Sequence, residues 1–242
     1  MPRHAMFLAG EAEYASQESL PPLAREFGQR HGWRVTTCLS DPLADGSDSY
    51  EFTGMDGLDG VDVLVIYTRF RRLQRRQMDT LLRYVADGRP VIGLRTSTHS
   101  FDFPDGSEYA RWNVDFGTAL FGTPWRYHHG HGANTDVSVI PEKKGHPILQ
   151  GVESHFHVRS WLYHVLPLPA SCDFLLMGDA VDSEVKDPAQ RMKNPVAWTN
   201  TCNGGRVFYT SMGHPEDFSN ASFRTLLMNG ILWAAGKPSV KS

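Results

Sequence analysis

The sharpest local signal in this sequence is Gly213-His214-Pro215-Glu216, directly after the apolar run Val207-Phe208-Tyr209-Thr210-Ser211. A histidine and a carboxylate two residues apart can share one side of an extended turn. There the carboxylate can orient the imidazole and stabilise its protonated form, the second and third members of a nucleophile–His–acid arrangement. An ordinary polar pair on a surface turn has the same spacing. A nucleophile would be expected at a sharp strand-to-helix turn, and the matching segment is Val91-Ile92-Gly93-Leu94-Arg95-Thr96-Ser97-Thr98-His99. Arg95 stands where the nucleophile would, and a guanidinium cannot attack a carbonyl. Thr96, Ser97 and Thr98 offer hydroxyls, but G-x-S-x-G is absent. None of Cys38, Cys172 and Cys202 follows a glycine in such a setting. Covalent catalysis is disfavoured.

Of the 11 histidines, several cluster. Tyr127-His128-His129-Gly130-His131-Gly132 could supply metal ligands, and His155-Phe156-His157 alternates like a strand with both imidazoles on one face. Zinc would want three or four such ligands, yet no H-E-x-x-H or comparable spacing occurs. The competing reading is a pocket wall acting by hydrogen bonds, with no cofactor needed and a divalent metal such as zinc kept as the alternative. Arg69, Arg71, Arg72, Arg75 and Arg76 read as a solvated helix face, with only Arg69 close enough to a strand end to join a pocket. Trp112, Trp125 and Trp161 could stack on sugar faces, although packing is the commoner use of tryptophan.

The elements that would position these residues follow from periodicity. Ala5–Gly10 reads as a buried strand. Leu20, Leu23, Ala24 and Phe27 recur at helical spacing, with Ser19 as N-cap, Pro21 in the first turn and a stop near Gly32. Trp33–Leu39 is a second strand, and Asp41–Gly60 reads as loop. Val61–Tyr67 is a continuous apolar strand of the kind found inside a parallel sheet. Met78, Leu81, Leu82 and Val85 mark a second helix, and Pro90–Leu94 another strand. A weak helical signal covers Arg111–Leu120, strands are expected at Thr135–Ile140 and Asp173–Met177, and His146-Pro147 begins a turn. Pro195–Thr199 and Arg206–Ser211 flank the hairpin turn Asn203-Gly204-Gly205, and Phe223 to Ala234 forms a last helix. Alternating strands and helices predict a parallel α/β sheet. In such a sheet ligands bind outside the carboxyl ends of the strands, which selects Glu11–Tyr14, Thr68–Arg72, Arg95–His99 and Met212–Phe218.

Composition bounds the rest. The 242 residues, 40 % hydrophobic and 21 % charged, suit a globular chain, read as one domain over 1–242 with an irregular excursion around 97–170. A net charge of −3 gives no basic field for nucleic acid or an anionic membrane, and no apolar run reaches the roughly 20 residues of a membrane span. Three scattered cysteines argue against a disulfide framework. With Met1-Pro2-Arg3-His4 leading straight into a strand, they suit the cytoplasm, or the periplasm or exterior if a leader was removed.

Strand, elbow, and a late strand followed by His-Pro-Glu resemble the class I glutamine amidotransferase fold. A closer resemblance is to the ThuA-like (trehalose utilisation) family on that fold. It is carried by Asn194–Thr199, Gly205–His214, Leu227–Ala234, Leu81–Gly88 leading into Val91–Leu94, and His146-Pro147-Ile148. The resemblance implies a flavodoxin-like three-layer sandwich with a mostly parallel central sheet, and catabolism of trehalose and related disaccharides through 3-keto sugars. It puts Arg95 and Thr96 at the former nucleophile position, so cysteine-dependent glutamine hydrolysis is not expected. The reading is a sugar-processing enzyme working by acid/base chemistry. His214, Glu216, Arg95 and His99 are its catalytic residues; Glu11, Tyr14, Arg69, Thr96, His129 and Trp161 bind substrate. The partner is a small-molecule carbohydrate, with a homo-oligomer left open. Two alternatives are a non-catalytic carbohydrate-binding or regulatory module, and a metalloenzyme ligated by His128, His131, His155 and His157.

Overall fold

The computed structural model describes residues 2–43, 49–130, 132–181 and 192–236. Its first half alternates strands and helices: β1 (His4–Gly10), α1 (Ser16–His31), β2 (Arg34–Pro42), β3 (Tyr50–Phe52), β4 (Val63–Thr68), α2 (Arg75–Ala86), β5 (Val91–Leu94) and α3 (Trp112–Phe121). The second half is mostly strand: β6 (Tyr127–His128), β7 (Asn134–Val139), β8 (His155–Val158), β9 (Tyr163–His164), β10 (Asp173–Val181), β11 (Lys193–Cys202) and β12 (Gly205–Thr210), closed by α4 (Ala221–Ala234).

Among the described residues ten strands form one sheet in the order β3-β2-β1-β4-β5-β12-β11-β10-β7-β8. The five from β2 to β12 run parallel, the remainder antiparallel. All seven residues of β1 are buried because both faces of the sheet are covered. Ala5, Phe7 and Ala9 pack with Leu20, Phe27 and Leu227 under α1 and α4, while Met6 and Leu8 join the opposite core with Met78, Leu81, Phe116 and Phe121 under α2 and α3. That alternation is the period of two expected of strands between two helical layers. Among the described residues no helix is long and apolar enough to cross a membrane.

Several local expectations change. α1 starts three residues before Ser19, at Ser16, and its N-cap is Ala15 in the left-handed region (φ 49°). The start is set by Glu11 instead: its backbone N–H donates to the Ser16 hydroxyl (2.9 Å) and its carbonyl accepts from the Ser16 N–H (3.1 Å). Ser19 and Pro21 lie inside the helix, while Gly32 ends it as read, with φ 66°. The stretch read as loop between Asp41 and Gly60 contains β3 and a turn of 3₁₀ helix, Met55–Gly60. The Gln77 side chain from α2 closes a pair of bonds with the Phe52 backbone, at 2.8 and 2.9 Å, and so replaces a missing strand neighbour. Asn203 (φ 50°) and Gly204 (φ 82°) turn the β11–β12 hairpin with the paired positive φ of a type I′ turn.

The connection from β1 leads to β2 on one side, and the next parallel strand, β4, lies on the other. The carboxyl ends of β1 and β4 therefore flank a topological switch point, the place of the crevice in which an open α/β sheet binds its ligand.

Candidate functional site

The turn after β5 is an elbow. Arg95 has φ 40°, a left-handed conformation that costs a non-glycine residue about 1–2 kcal/mol. Hydrogen bonds offset it: the Tyr209 hydroxyl donates to the Arg95 carbonyl (2.5 Å), and the Ser97 hydroxyl lies 2.7 Å from the Leu94 and Ile66 carbonyls. The Arg95 side chain is entirely buried. Its Nη1 donates to the Ser211 carbonyl (2.9 Å) and the Trp161 carbonyl (3.4 Å), and its Nη2 to the Tyr14 hydroxyl (3.1 Å). The guanidinium carbon sits 4.2 Å from the Tyr14 ring centre and 4.8 Å from that of Tyr163. Burying a cation is costly, and here carbonyls and aromatic faces compensate for it; among the described residues no carboxylate pairs with it.

The loop after β1 brings Tyr14 to that cation. The Glu11 carboxylate, fully buried, accepts the backbone N–H groups of Glu13 (2.7 Å) and Tyr14 (2.6 Å). Burial pushes its pKa above the usual carboxylate range, against the pull of those two donors. Glu11 thus fixes the loop and is closed to a ligand. Glu13 is the half-exposed carboxylate here, and it pairs with Arg69 from the end of β4. Arg69 also lies over the exposed ring of Phe70, 4.7 Å from its centre. Of the other arginines of the run only Arg75 and Arg76 lie on α2, pairing on the surface with Glu108 and Asp56. Arg72 pairs with Asp102 ahead of the helix, and Arg71 is half-buried, its Nε donating to the Ser40 hydroxyl (2.9 Å) and its guanidinium lying over the Tyr50 ring.

The turn after β12 places His214 edge-on to Tyr14, ring centres 6.1 Å apart. Gly213 has φ 144°, and a Cβ there would meet the Tyr67 hydroxyl at 3.2 Å, so the turn can pass over Tyr67 only as glycine. The Glu216 carboxylate is not the group that orients the imidazole: it is 72 % exposed and stands 3.9 Å from Nδ1. What reaches Nδ1 is the backbone N–H of Glu216, at 3.3 Å. An Nδ1 that accepts a hydrogen bond leaves the proton of the neutral ring on Nε2. Burial lowers the His214 pKa below its ordinary value, opposed by Asp217 and Glu216, which favours that neutral form. His214 therefore offers an Nε2–H donor.

The carboxylate that builds the turn is Asp217. It is buried, and its two oxygens accept the backbone N–H groups of Arg159, Ser160, Gly213 and His214 and the Ser160 hydroxyl. It ties the segment before Trp161 to the turn that carries His214. The His214-x-x-Asp217 spacing of a capping box could have revealed it; Tyr163, whose ring covers Arg95, left no such signal.

The remaining positions divide. The Trp161 ring lies edge-on to Tyr14 (6.3 Å) and 5.0 Å from His128, so it walls the same crevice. His99 is buried between Phe70 (5.2 Å) and Trp125 (5.4 Å), and burial with the charges of Arg69 and Arg95 pushes its pKa down to about 3. It is neutral at any physiological pH and a poor proton carrier. The Thr96 hydroxyl is buried without a hydrogen-bond partner among the described residues. The His129 N–H bonds the Leu162 carbonyl (2.7 Å), and His164, whose pKa burial lowers to about 4, feels both His129 and His128. His155 and His157 do share one face of a strand, but it is the exposed face of β8, where His157 bonds Asp136 (2.8 Å). His131 lies outside the described residues. Among those described, no three His, Cys, Asp or Glu side chains gather as metal ligands would.

A five-stranded parallel core in the order β2-β1-β4-β5-β12, helices on both faces and a polar crevice at the switch point define a flavodoxin-like three-layer α/β protein. The family model for trehalose utilisation (ThuA) matches residues 4–234, and the chain belongs to that family. Two solved ThuA-like proteins share its fold. The one from Parabacteroides merdae is 18 % identical, with a TM-score of 0.67 over 100 % of this chain and 93 % of its own. The one from Bacteroides uniformis is 16 % identical, with a TM-score of 0.67 over 98 % and 93 %. A β-galactosidase from Rahnella sp. R3 has the fold in 32 % of its length, at 10 % identity and a TM-score of 0.56 over 98 % of this chain. No curated protein matches the sequence.

Proposed function

We propose that this protein processes a disaccharide or its 3-keto derivative by acid/base chemistry, with no covalent enzyme intermediate. The observation that carries the reading is the elbow: where a nucleophile would stand, Arg95 turns its side chain into the protein. What remains at the crevice is a neutral histidine donor, a phenol and a half-exposed carboxylate. Those groups suit proton transfer next to a carbonyl. Glu13 takes the proton from the carbon beside the ketone, the C–H electron pair becomes the enolate double bond, and the carbonyl pair moves onto oxygen. His214 Nε2–H donates a hydrogen bond to the sugar. Family membership supports the sugar, as do the rings of Trp161, Trp125 and Phe70 around the crevice, since aromatic faces stack on the apolar faces of pyranoses.

The test is exchange of the proton beside the ketone of a 3-keto disaccharide in deuterium oxide, followed by NMR. Exchange by the native protein, slowed about 10²-fold or more in His214→Ala and Glu13→Gln, is the expected result. Native rates in both folded variants would end this reading. The alternative, a sugar-binding module without chemistry, is favoured by the same lack of a nucleophile at the elbow and predicts saturable binding with no exchange.

A further inference from the structure

We propose that the Tyr14 hydroxyl is the catalytic group that holds the developing oxyanion, with Arg95 acting on it from behind as a positioning residue. This rests on the acid/base reading of the site given above. An arginine at the elbow is an obvious candidate for stabilising an oxyanion, but the structure closes that route, because no part of the Arg95 side chain reaches the surface. Nη1 is spent on the carbonyls of Ser211 and Trp161, Nη2 goes to Tyr14, and Nε is buried with no hydrogen-bond partner among the described residues. Among the described residues, Tyr14 is thus the one ionisable group to which the guanidinium donates.

The direction of that bond matters. With Nη2 donating into the Tyr14 oxygen, the single phenolic proton must be given to something else. Burial raises the Tyr14 pKa despite the opposing pull of Arg95, so the proton is present at neutral pH and the phenol is a donor, not a base. Tyr14 also faces the crevice groups, edge-on to both His214 and Trp161. Glu13, already paired with Arg69, is a competing acceptor that a substrate oxygen would displace. As the carbonyl pair moves onto oxygen, the Tyr14 O–H bond to it strengthens, and the cation behind the phenol favours that polarisation. No carboxylate among the described residues neutralises Arg95, so its charge is available to act. A preorganised donor aimed where charge develops contributes in this way.

The same exchange assay tests it. Tyr14→Phe is expected to lower kcat by about 10²–10³, with KM changed less than about threefold. A fluorinated tyrosine at position 14, which keeps the hydroxyl, should retain exchange. Fluorine NMR of that tyrosine also reads its ionisation directly, and Arg95→Gln should move that titration to higher pH. Because Arg95→Gln could unfold, the comparison of Tyr14→Phe with the fluorotyrosine protein decides alone if needed. Native exchange by Tyr14→Phe overturns the role of Tyr14, and an ionisation unmoved in folded Arg95→Gln overturns that of Arg95. A native protein that binds the keto sugar but exchanges nothing overturns the acid/base reading and this one together.

Discussion

The Asp217 carboxylate and the Ser160 hydroxyl lie 2.5 Å apart and receive the backbone N–H groups of Gly213 and His214 jointly. Residues separated by more than fifty positions are thereby locked into one turn. Replacing Asp217 with alanine strands several buried donors, each at about 1–3 kcal/mol. Asp217→Ala is expected to cost at least about 3 kcal/mol, and Ser160→Ala about 1–2 kcal/mol. Because the two share the same donors, the double variant should cost clearly less than the two single costs combined. Urea denaturation of the four proteins measures this, and strict additivity would show that the pair does not act as a unit.

Glu216 and Asp217 then separate cleanly in activity. Glu216 is exposed and its carboxylate does not reach the imidazole, whereas its backbone N–H does. Glu216→Gln should change the keto-sugar exchange rate less than twofold, as expected for a surface charge. Glu216→Pro removes the N–H and should slow exchange, at some cost in stability because Pro215, itself in the helical turn, would then precede a proline. A tenfold loss in Glu216→Gln would restore the carboxylate as the partner of His214.

How far the sequence reaches is clear from these same residues. The strand-helix alternation and the positions of Glu11, Arg69, Arg95 and His214 at strand ends were legible, because apolar periodicity reports which faces are covered and the sheet rule then places the crevice. The order β2-β1-β4-β5-β12 bears that out. Side-chain direction was not legible. Nothing in Leu94-Arg95-Thr96 says that the guanidinium turns inward between Tyr14 and Tyr163, which come from a loop and a short strand far away in the chain. Nor does Pro215-Glu216-Asp217 say which acid is buried: that depends on Ser160, supplied by the irregular middle where periodicity fails. β3 escaped for a related reason, since its partner is partly a side-chain amide.

Gly93 in β5 carries the elbow and is open to a simple check. A Cβ there would fall 2.3 Å from Phe121 Cζ and 3.0 Å from the Tyr209 ring, two side chains packed with ring centres 4.8 Å apart. Tyr209 in turn holds the Arg95 carbonyl. Gly93→Ala should therefore destabilise by about 1–3 kcal/mol through overpacking and also impair the site. Phe121→Leu, which makes room, should recover part of the loss in the double variant. Thermal unfolding of the single and double variants decides it; a Gly93→Ala protein as stable as the native one would contradict the packing described.

His99 should make stability depend on pH. In the folded protein its pKa is about 3, chiefly because burial penalises the cation, with Arg69 and Arg95 adding to the effect. In the unfolded chain it returns to about 6.5. Between those values the unfolded state binds the extra proton, so stability is complete above about pH 6.5 and declines as pH falls towards 3. The slope from one such group is at most about 1.4 kcal/mol per pH unit, which amounts to about 2–3 kcal/mol between neutrality and pH 4.5. His164, with a folded value of about 4, adds to the same trend, though less, because solvent screens it more. His99→Asn cannot titrate and keeps a polar group within reach of the Thr98 hydroxyl, which lies 3.1 Å from Nδ1. Urea denaturation at several pH values should show the native protein losing more stability than His99→Asn from pH 7 to 4.5, by about 2 kcal/mol. Parallel pH profiles for the two proteins would mean that His99 takes up its proton without leaving its place between Phe70 and Trp125.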